Sequence, residues 1–213
     1  MPFRLPARLP FWGFNSRSFT FLDPGPLIDG ELELIPPDRK LIDAYLASVQ
    51  HPLTVQQSPG LADVTRRHLA DFIDLCPDGR QGADTAGSIA PTYHFWMWQK
   101  DRRDFPIAGG VGLRIGNSYD TVMYYGHFGY HVYPLARGKH FAERACRLLL
   151  PLAARHGLNP IWITCNPDNI ASRRTCERLG AQLIEVVPVP GEHLLHRRGE
   201  IEKCRYRIDA AVT

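Results

Sequence analysis

Apolar residues recur along the first part of the chain with two spacings, which predict strands and helices. Every second residue is apolar in Glu31–Ile35, and this period of two predicts a first strand. Asp38 is a suitable N-cap for a helix whose apolar stripe runs over Leu41–Val49. A similar stripe predicts a second helix over Leu61–Leu75. Residues 1–29 are rich in proline, glycine and aromatic residues, so we expect an irregular N-terminal extension.

Three neighbouring strands are predicted next. Thr92–Gln99 is apolar on both faces, which is typical of a strand inside a layered fold. Pro106–Ile115 and Tyr124–Tyr133 follow after short turns, so the three strands should form an antiparallel meander. The segment before them, Pro77–Ser88, is a loop by its composition.

The second half alternates strands with helices. Pro151 lies inside the first of these helices, where we expect a kink in the last turn. Gly157 and Gly180 suit the residue that follows a helix. A strand, a helix and a strand in this order predict a right-handed parallel crossover. The predicted elements are a helix from Phe141 to Leu152, a strand over Ile161–Cys165, a helix over Asn169–Leu179, and strands over Gln182–Val187 and residues 203–208.

Composition narrows the class of protein. The chain has 213 residues with 44% hydrophobic and 22% charged, which suits one soluble domain over residues 1–213. A net charge of +3 does not indicate a nucleic-acid surface. The five cysteines form no CxxC pair, so we expect free thiols and no metal site. Without a signal-peptide pattern or a membrane-length apolar run, we expect a cytoplasmic protein that does not contact membranes.

The segment Val132–Ala145, VYPLARGKHFAERA, carries the strongest chemical signal. A predicted strand ends at Pro134, and an Arg-Gly-Lys turn opens an amphipathic helix. The start of a helix presents unpaired N–H groups and the positive end of its dipole. This combination predicts a phosphate-binding site, and therefore a cofactor with phosphates.

Two motifs at this point resemble those of the GNAT acyltransferase superfamily. Arg137-Gly138-Lys139-His140-Phe141-Ala142 resembles its R/Q-x-x-G-x-G/A turn, with His140 where the family usually has glycine. Asn166-Pro167-Asp168-Asn169-Ile170-Ala171-Ser172, followed by Gly180, resembles its second half-motif, N-x-x-N-x-A-S…G. The residues from Gly126 to Pro134 and Thr164-Cys165 are closest to a bacterial branch. The resemblance covers residues 107–187, and the predicted element order β-α-α-β-β-β-α-β-α-β-β agrees with it.

The resemblance implies a mixed α/β (α+β) GNAT fold, with antiparallel N-terminal strands, a parallel crossover and central strands that splay apart. It also implies acetyl-CoA as co-substrate. Backbone groups of Tyr130, His131 and Val132 would then hold the pantetheine and the thioester oxygen. If His140 has ordinary helical dihedrals, its N–H can still reach the pyrophosphate. The remaining expected cofactor-binding residues are Arg137, Gly138, Lys139, His140, Phe141, Ala142, Asn166, Asn169 and Ser172.

Two further residues are candidates for proton transfer. Many family members have a tyrosine acid four residues before the helix-ending glycine, and Cys176 stands at that position here. A thiol could protonate a CoA thiolate of similar basicity, although a small buried hydrophobic role for Cys176 is the alternative. We expect His127, on the predicted strand 124–133, to be the base, with a structural role as its alternative. His94 and Glu33 are other possible bases, and His131 is a weaker one.

These expectations lead to one main function and two alternatives. The main one is an N-acetyltransferase that transfers an acetyl group from acetyl-CoA to a primary amine of a small molecule, amino-acid derivative or peptide. The amine would attack directly within a ternary complex. The alternatives are a GNAT-like module that binds acyl-CoA without efficient turnover, and a phosphate-binding fold unrelated to CoA. A homodimer is also possible, since family members often dimerise.

Overall fold

A computed structural model describes residues 19–83 and 90–209. Most of the expected N-terminal extension and the second half of the loop 77–88 lie outside these residues. An antiparallel sheet forms the first part, with strand order β1-β2-β4-β5-β6, and β3 also pairs with β4. Its strands are β1 Ile28–Asp29, β2 Leu32–Ile35, β3 Arg80–Gln81, β4 Thr92–Gln99, β5 Ile107–Arg114 and β6 Phe128–Val132.

A second antiparallel sheet has the order β7-β9-β8. Its strands are β7 Ile161–Cys165, β8 Gln182–Pro188 and β9 Glu202–Ile208. The helices are α1 Ile42–Val49, α2 Pro52–Gln57, α3 Arg66–Leu75, α4 Phe141–Arg155, α5 Ile170–Arg178 and α6 Leu194–Arg197. None of these helices, which come from the described ranges, is both long and apolar enough to cross a membrane.

Strand β4 contacts a different layer on each of its faces. On one face, the Tyr93 hydroxyl lies 2.8 Å from Nε2 of His156, which follows α4. On the other face, the Trp96 ring packs against Tyr45 of α1 at 4.6 Å between ring centroids. The first sheet therefore lies between α4 and the α1–α3 layer, which explains why β4 is apolar on both faces. Fully buried core side chains include Leu32, Met97, Ile107, Leu113, Leu149 and Ile163.

The two sheets meet at one point and separate beyond it. The His127 N–H donates to the Trp162 carbonyl at 2.7 Å, just before β6 begins. From there on, β6 pairs only with β5 and β7 only with β9 among the described strands. Gly126 has a φ of +68°, and a Cβ on it would lie 2.9 Å from the Thr164 nitrogen. Glycine at this position therefore allows both the turn and the close approach of the sheets.

The prediction of a strand over Tyr124–Tyr133 is wrong in its first half. Thr121–Tyr125 forms one turn of π-helix, in which the Gly126 N–H donates to the Thr121 carbonyl at 2.7 Å. The aromatic and β-branched residues of this turn fit a strand pattern equally well. The positive φ at Gly126 then ends the turn, so the regular strand begins only at Phe128.

Other elements differ less from the expectation. The strands predicted over Thr92–Gln99 and Ile161–Cys165 are confirmed at both ends. The predicted helix over Leu61–Leu75 starts only at Arg66, because Thr65 caps the backbone N–H of His68. Four short elements were not predicted, because the sequence indicated irregular structure, or no element, in their segments. They are the helices α2 and α6 and the strands β1 and β3.

Candidate active site

The separation of β6 from β7 opens a cavity of about 380 Å³, which we call the gap cavity. Residues of β6, β7, α5 and β9 line it, together with the loop after β7. Four of the expected cofactor-binding residues meet here: Tyr130, Asn166, Asn169 and Ser172. Asn169 also caps α5, because its Oδ1 accepts the Ser172 N–H at 3.0 Å.

The backbone of β6 offers alternate residues to the gap. The Tyr133 N–H donates to the Ala108 carbonyl at 2.8 Å, and so points towards β5. Because strand N–H groups alternate in direction, those of Tyr130 and Val132 point into the gap. His131 faces β5 with its backbone, so the expected backbone contact from His131 to the cofactor is wrong. The His131 imidazole lies over Gly110, on the face of the sheet opposite to the Tyr130 side chain.

The expected phosphate site lies at the start of α4. No side chain caps this helix, so its first N–H groups are open to an anion. Lys139 is exposed nearby, and the exposed Arg137 donates through Nε to the Val132 carbonyl at 3.1 Å. His140 has left-handed dihedrals, φ 57° and ψ 26°, rather than the helical ones considered above. A non-glycine residue in this conformation costs about 1 kcal/mol, which explains the usual glycine at this place.

The hydroxyl of Tyr130 is the polar group that the sequence analysis missed in the gap. It lies 2.9 Å from Ser172 Oγ and 3.8 Å from Cys176 Sγ. Burial raises the pKa of Tyr130 well above its usual value, so the hydroxyl stays protonated at neutral pH. Strand alternation predicts that the Tyr130 and His131 side chains lie on different faces of the sheet. It does not predict that the Tyr130 hydroxyl reaches α5.

Cys176 is fully buried behind Tyr130 and does not line the gap cavity. A hydrogen bond to Cys165 and burial both raise the pKa of the Cys176 thiol. The same hydrogen bond lowers the pKa of Cys165, which does line the cavity. The thiol expected as the acid is therefore screened from the cofactor side by Tyr130.

His127 holds the two sheets together. Its imidazole is fully buried, and Nδ1 accepts the Trp162 N–H at 2.8 Å. Nε2 must then carry the hydrogen, and it lies 3.1 Å from both the Gly116 carbonyl and Asn117 Oδ1. Burial lowers the pKa of His127 to about 4. Because both ring nitrogens are engaged, this geometry disfavours His127 as the base, and its expected place on a strand is wrong.

A second cavity of about 190 Å³ lies on the face of the first sheet that packs against α1 and α3. We call it the sheet-face cavity. Its floor is open because Gly110, Gly112 and Gly129 carry no side chains. The rings of Tyr45 and Phe72 form its helical wall. Gly129 and Arg114 line both cavities, so the two cavities adjoin at these two residues.

Two histidines, His94 and His131, line the sheet-face cavity. His94 Nε2 lies 2.9 Å from Gln81 Oε1, which can only accept, so Nδ1 retains a lone pair. Burial, with a smaller contribution from Arg114, lowers the pKa of His94 to about 4. The His131 ring is exposed to the cavity, with Nε2 3.3 Å from the Tyr133 hydroxyl. Glu33 does not line the cavity, and it pairs with Lys100 at 3.5 Å.

Comparison with known proteins now decides the family. The family model for the acetyltransferase (GNAT) domain matches residues 31–182. The chain belongs to the GNAT acetyltransferase family. No curated protein matches the sequence significantly.

Solved GNAT structures share this fold at low sequence identity. The microcin C7 self-immunity acetyltransferase MccE, in complex with acetyl-CoA and AMP, is 20% identical with a TM-score of 0.60, over 85% of this chain and 94% of that chain. The ribosomal L7/L12 alpha-N-protein acetyltransferase RimL, in complex with coenzyme A, is 18% identical with a TM-score of 0.59, over 87% and 98%. A GNAT-family acetyltransferase from Bacillus anthracis is 15% identical with a TM-score of 0.56, over 86% and 98%.

As a GNAT acetyltransferase, the chain is an acyltransferase with acetyl-CoA as co-substrate. The described residues fit this donor, because open N–H groups occur both at the start of α4 and along the free edge of β6. Within residues 19–83 and 90–209, no group of three or more His, Cys, Asp or Glu side chains is arranged to hold a metal ion.

The sequence analysis of this GNAT chain also missed Arg114. A signal for it existed, because Gly110, Gly112 and Arg114 alternate along one strand. Glycines at every second position leave space on one face of a strand. The next residue of the same parity therefore borders that space, and here it is a cation.

Proposed function

We propose that this protein is an N-acetyltransferase in which acetyl-CoA occupies the gap cavity and a primary amine occupies the sheet-face cavity. The observation that carries this proposal is that Gly129 and Arg114 line both cavities. A donor in the gap cavity and an acceptor in the sheet-face cavity can therefore meet at these residues without a covalent enzyme intermediate. The amine would be attached to a small molecule, an amino-acid derivative or a peptide.

The donor is held largely by backbone groups in this proposal. The open N–H groups of α4, together with the charges of Arg137 and Lys139, take the pyrophosphate. The N–H groups of Tyr130 and Val132 pair with the pantetheine arm along the unpaired edge of β6. The other cofactor-binding residues that we propose are Gly138, His140, Phe141, Ala142, Asn166, Asn169 and Ser172.

Tyr130 takes the role of acid that was expected of Cys176. The amine nitrogen attacks the thioester carbon, the C–S bond breaks, and the leaving thiolate takes the proton of the Tyr130 hydroxyl. Support comes from its position, since the hydroxyl lies in the gap beside Ser172 and only 3.8 Å from the Cys176 thiol. Ser172 Oγ can hand Tyr130 a replacement proton from solvent.

His94 is the group that we propose as base. Its Nδ1 lone pair lies in the sheet-face cavity, 3.7 Å from where a Cβ on Gly112 would stand. The proton lost by the amine passes to Nδ1 and then to solvent. In total, one amine and one acetyl-CoA give one N-acetyl product and one CoA thiol.

The related structures indicate which acceptors to test first. One is described as acting on a ribosomal protein at its alpha-amine, and another as conferring immunity to microcin C7. Alpha-amines of peptides and amines of small molecules are therefore the first classes in the panel. A cytoplasmic location and a homodimer stay predictions.

Two measurements test this function. Calorimetry should give a Kd for CoA below the millimolar range, and thiol release should occur with at least one amine of the panel. Binding without thiol release from any amine would favour the alternative, a module that binds acyl-CoA without efficient turnover. Absence of CoA binding would contradict both functions.

A further inference from the structure

Arg114 is a cation without a carboxylate partner among the described residues. It ends β5, and its guanidinium lies directly over Gly129, where a Cβ would come 3.2 Å from both Nη1 and Nη2. Its hydrogen bonds to the described residues all come from Nη1, which donates to the carbonyls of Tyr125 at 3.3 Å and Gly126 at 3.2 Å. The N–H groups of Nε and Nη2 remain for a ligand, and they form the fork that suits a carboxylate.

The surroundings of Arg114 strengthen the case for an anionic ligand. Among the described residues that line the sheet-face cavity, Arg114 is the only arginine or lysine, and no aspartate or glutamate occurs. Of the described residues around the gap cavity, Glu200 is the one acid, and it pairs with Lys203. Arg114 is half-buried and has no ion pair with an acid among the described residues, so its charge is only weakly compensated by the Tyr125 ring at 5.8 Å.

We propose that Arg114 binds a carboxylate of the acceptor, so that the substrate is an amine that also carries a carboxylate group. This inference rests on the proposed function and names the substrate class of its acceptor site. Arg114 and His94 lie on the same face of neighbouring strands, since Arg114 pairs with Thr92 and His94 with Gly112. One molecule can therefore place its carboxylate on Arg114 and its amine within reach of His94.

The two groups also help each other chemically. Arg114 alone would repel a cationic acceptor amine that approaches the cavity. The carboxylate offsets the repulsion that Arg114 would otherwise exert on the acceptor and on a protonated His94. An acceptor without an anionic group lacks this compensation, so we expect it to bind weakly.

Matched acceptor pairs test the inference on the wild-type enzyme. Free amino acids paired with their C-terminal amides test an α-carboxylate. Peptide amides that begin with Asp or Asn test a side-chain carboxylate. In at least one series, the carboxylate member should have a kcat/KM about 10- to 100-fold higher, mainly through KM, as expected for a charge-assisted hydrogen bond in a partly buried site.

Variants then connect the preference to Arg114. Arg114→Gln should bring the ratio within the pair close to unity, and Arg114→Lys should retain part of the preference. Arg102→Gln, which removes an exposed arginine paired with Asp104, is the matched control. If Arg114→Gln fails to fold, the wild-type ratio and the Arg114→Lys variant still decide.

Each outcome has a distinct meaning. A wild-type preference for the neutral member, or an equal loss for both members in Arg114→Gln, would overturn the inference while the proposed function stands. A fall in kcat for every acceptor would assign Arg114 to the thioester instead, and would also overturn it. Absence of thiol release with any amine would remove the proposed function and this inference together.

Discussion

The gap cavity lies along the free edge of β6, whereas the sheet-face cavity lies on one face of the same sheet, and the two are built in different ways. On the donor side, the free edge of β6 and the start of α4 offer backbone N–H groups, and polar side chains also line the gap cavity. The sheet-face cavity is formed by side chains from α1, α3 and three strands over a floor of glycines. The first suits a cofactor that many proteins share, and the second suits an acceptor that differs between enzymes.

This difference explains which binding sites can be predicted from a sequence motif. Backbone groups at a strand end and a helix start depend on a short run of residues, which a motif preserves. A pocket of side chains from separate elements has no such run. If the two cavities act separately, variants on one side should leave the function of the other side unchanged.

The strongest test removes the Tyr130 hydroxyl on the donor side. Tyr130→Phe should lower kcat about 100-fold, a typical contribution of a general acid, because the leaving thiolate loses its proton donor. The Kd of CoA should stay unchanged. Tyr93→Phe is the control, since Tyr93 is also a buried tyrosine but its hydroxyl contacts Leu22 and His156. An unchanged kcat in Tyr130→Phe would remove this tyrosine from the mechanism.

On the acceptor side, His94→Gln should lower kcat/KM at neutral pH roughly 10- to 100-fold through loss of the base. Since the pKa of His94 is about 4, the wild-type base should be active down to that pH. After correction for ionisation of the amine, the acid limb of kcat/KM should therefore fall near pH 4. A limb near the usual imidazole pKa, or one that persists in His94→Gln, would contradict this assignment.

His127, which connects the two sheets, should affect stability rather than catalysis. His127 has a folded-state pKa of about 4, below the unfolded value, so protons bind the unfolded state more tightly between about pH 6.5 and 4. The contribution of His127 to stability is present above this window and should fall by roughly 3 kcal/mol as the pH drops through it, and His94, whose pKa is also about 4, adds a further loss. Urea unfolding measures this loss. His127→Leu should be less stable at neutral pH, because the Trp162 N–H loses its partner, and should show a smaller loss on acidification.

The smallest effect is expected at the start of α4. His140→Gly should raise the free energy of unfolding by up to about 1 kcal/mol, since glycine adopts the left-handed conformation without strain. The Kd of CoA should not weaken. Lys139→Gly provides the contrast, because Lys139 has no positive φ to relieve and should gain no stability. Destabilisation in His140→Gly would show that the His140 side chain contributes more than its strain costs.

Much of the donor side could be predicted from the sequence because it is local. The α5 cap at Asn169 and the strand Ile161–Cys165 agree with their patterns. The alternation of N–H groups along β6 also correctly predicts that those of Tyr130 and Val132 point into the gap. His131 was included with them only because the motif was read as a continuous segment.

The acceptor side could not be predicted in the same way. The alternating pattern predicts His127 on a regular strand. The positive φ at Gly126 interrupts that strand, so His127 lies before β6, where the two sheets meet. His94 lies 18 residues before Gly112 in the chain, and only the β4–β5 register brings them together. Arg114 had a pattern of alternating glycines beside it, but its missing acidic partner is a property of the folded protein.

The central claim, that donor and acceptor occupy separate cavities, is tested most directly by filling each cavity in turn. Ser172→Trp enlarges a side chain in the gap cavity, and Tyr45→Trp enlarges one in the sheet-face cavity. After both variants are shown to unfold cooperatively, CoA is titrated into each by calorimetry. CoA should bind the wild type and Tyr45→Trp with the same Kd, and should not bind Ser172→Trp. Unchanged binding in Ser172→Trp, or lost binding in Tyr45→Trp, would contradict the account.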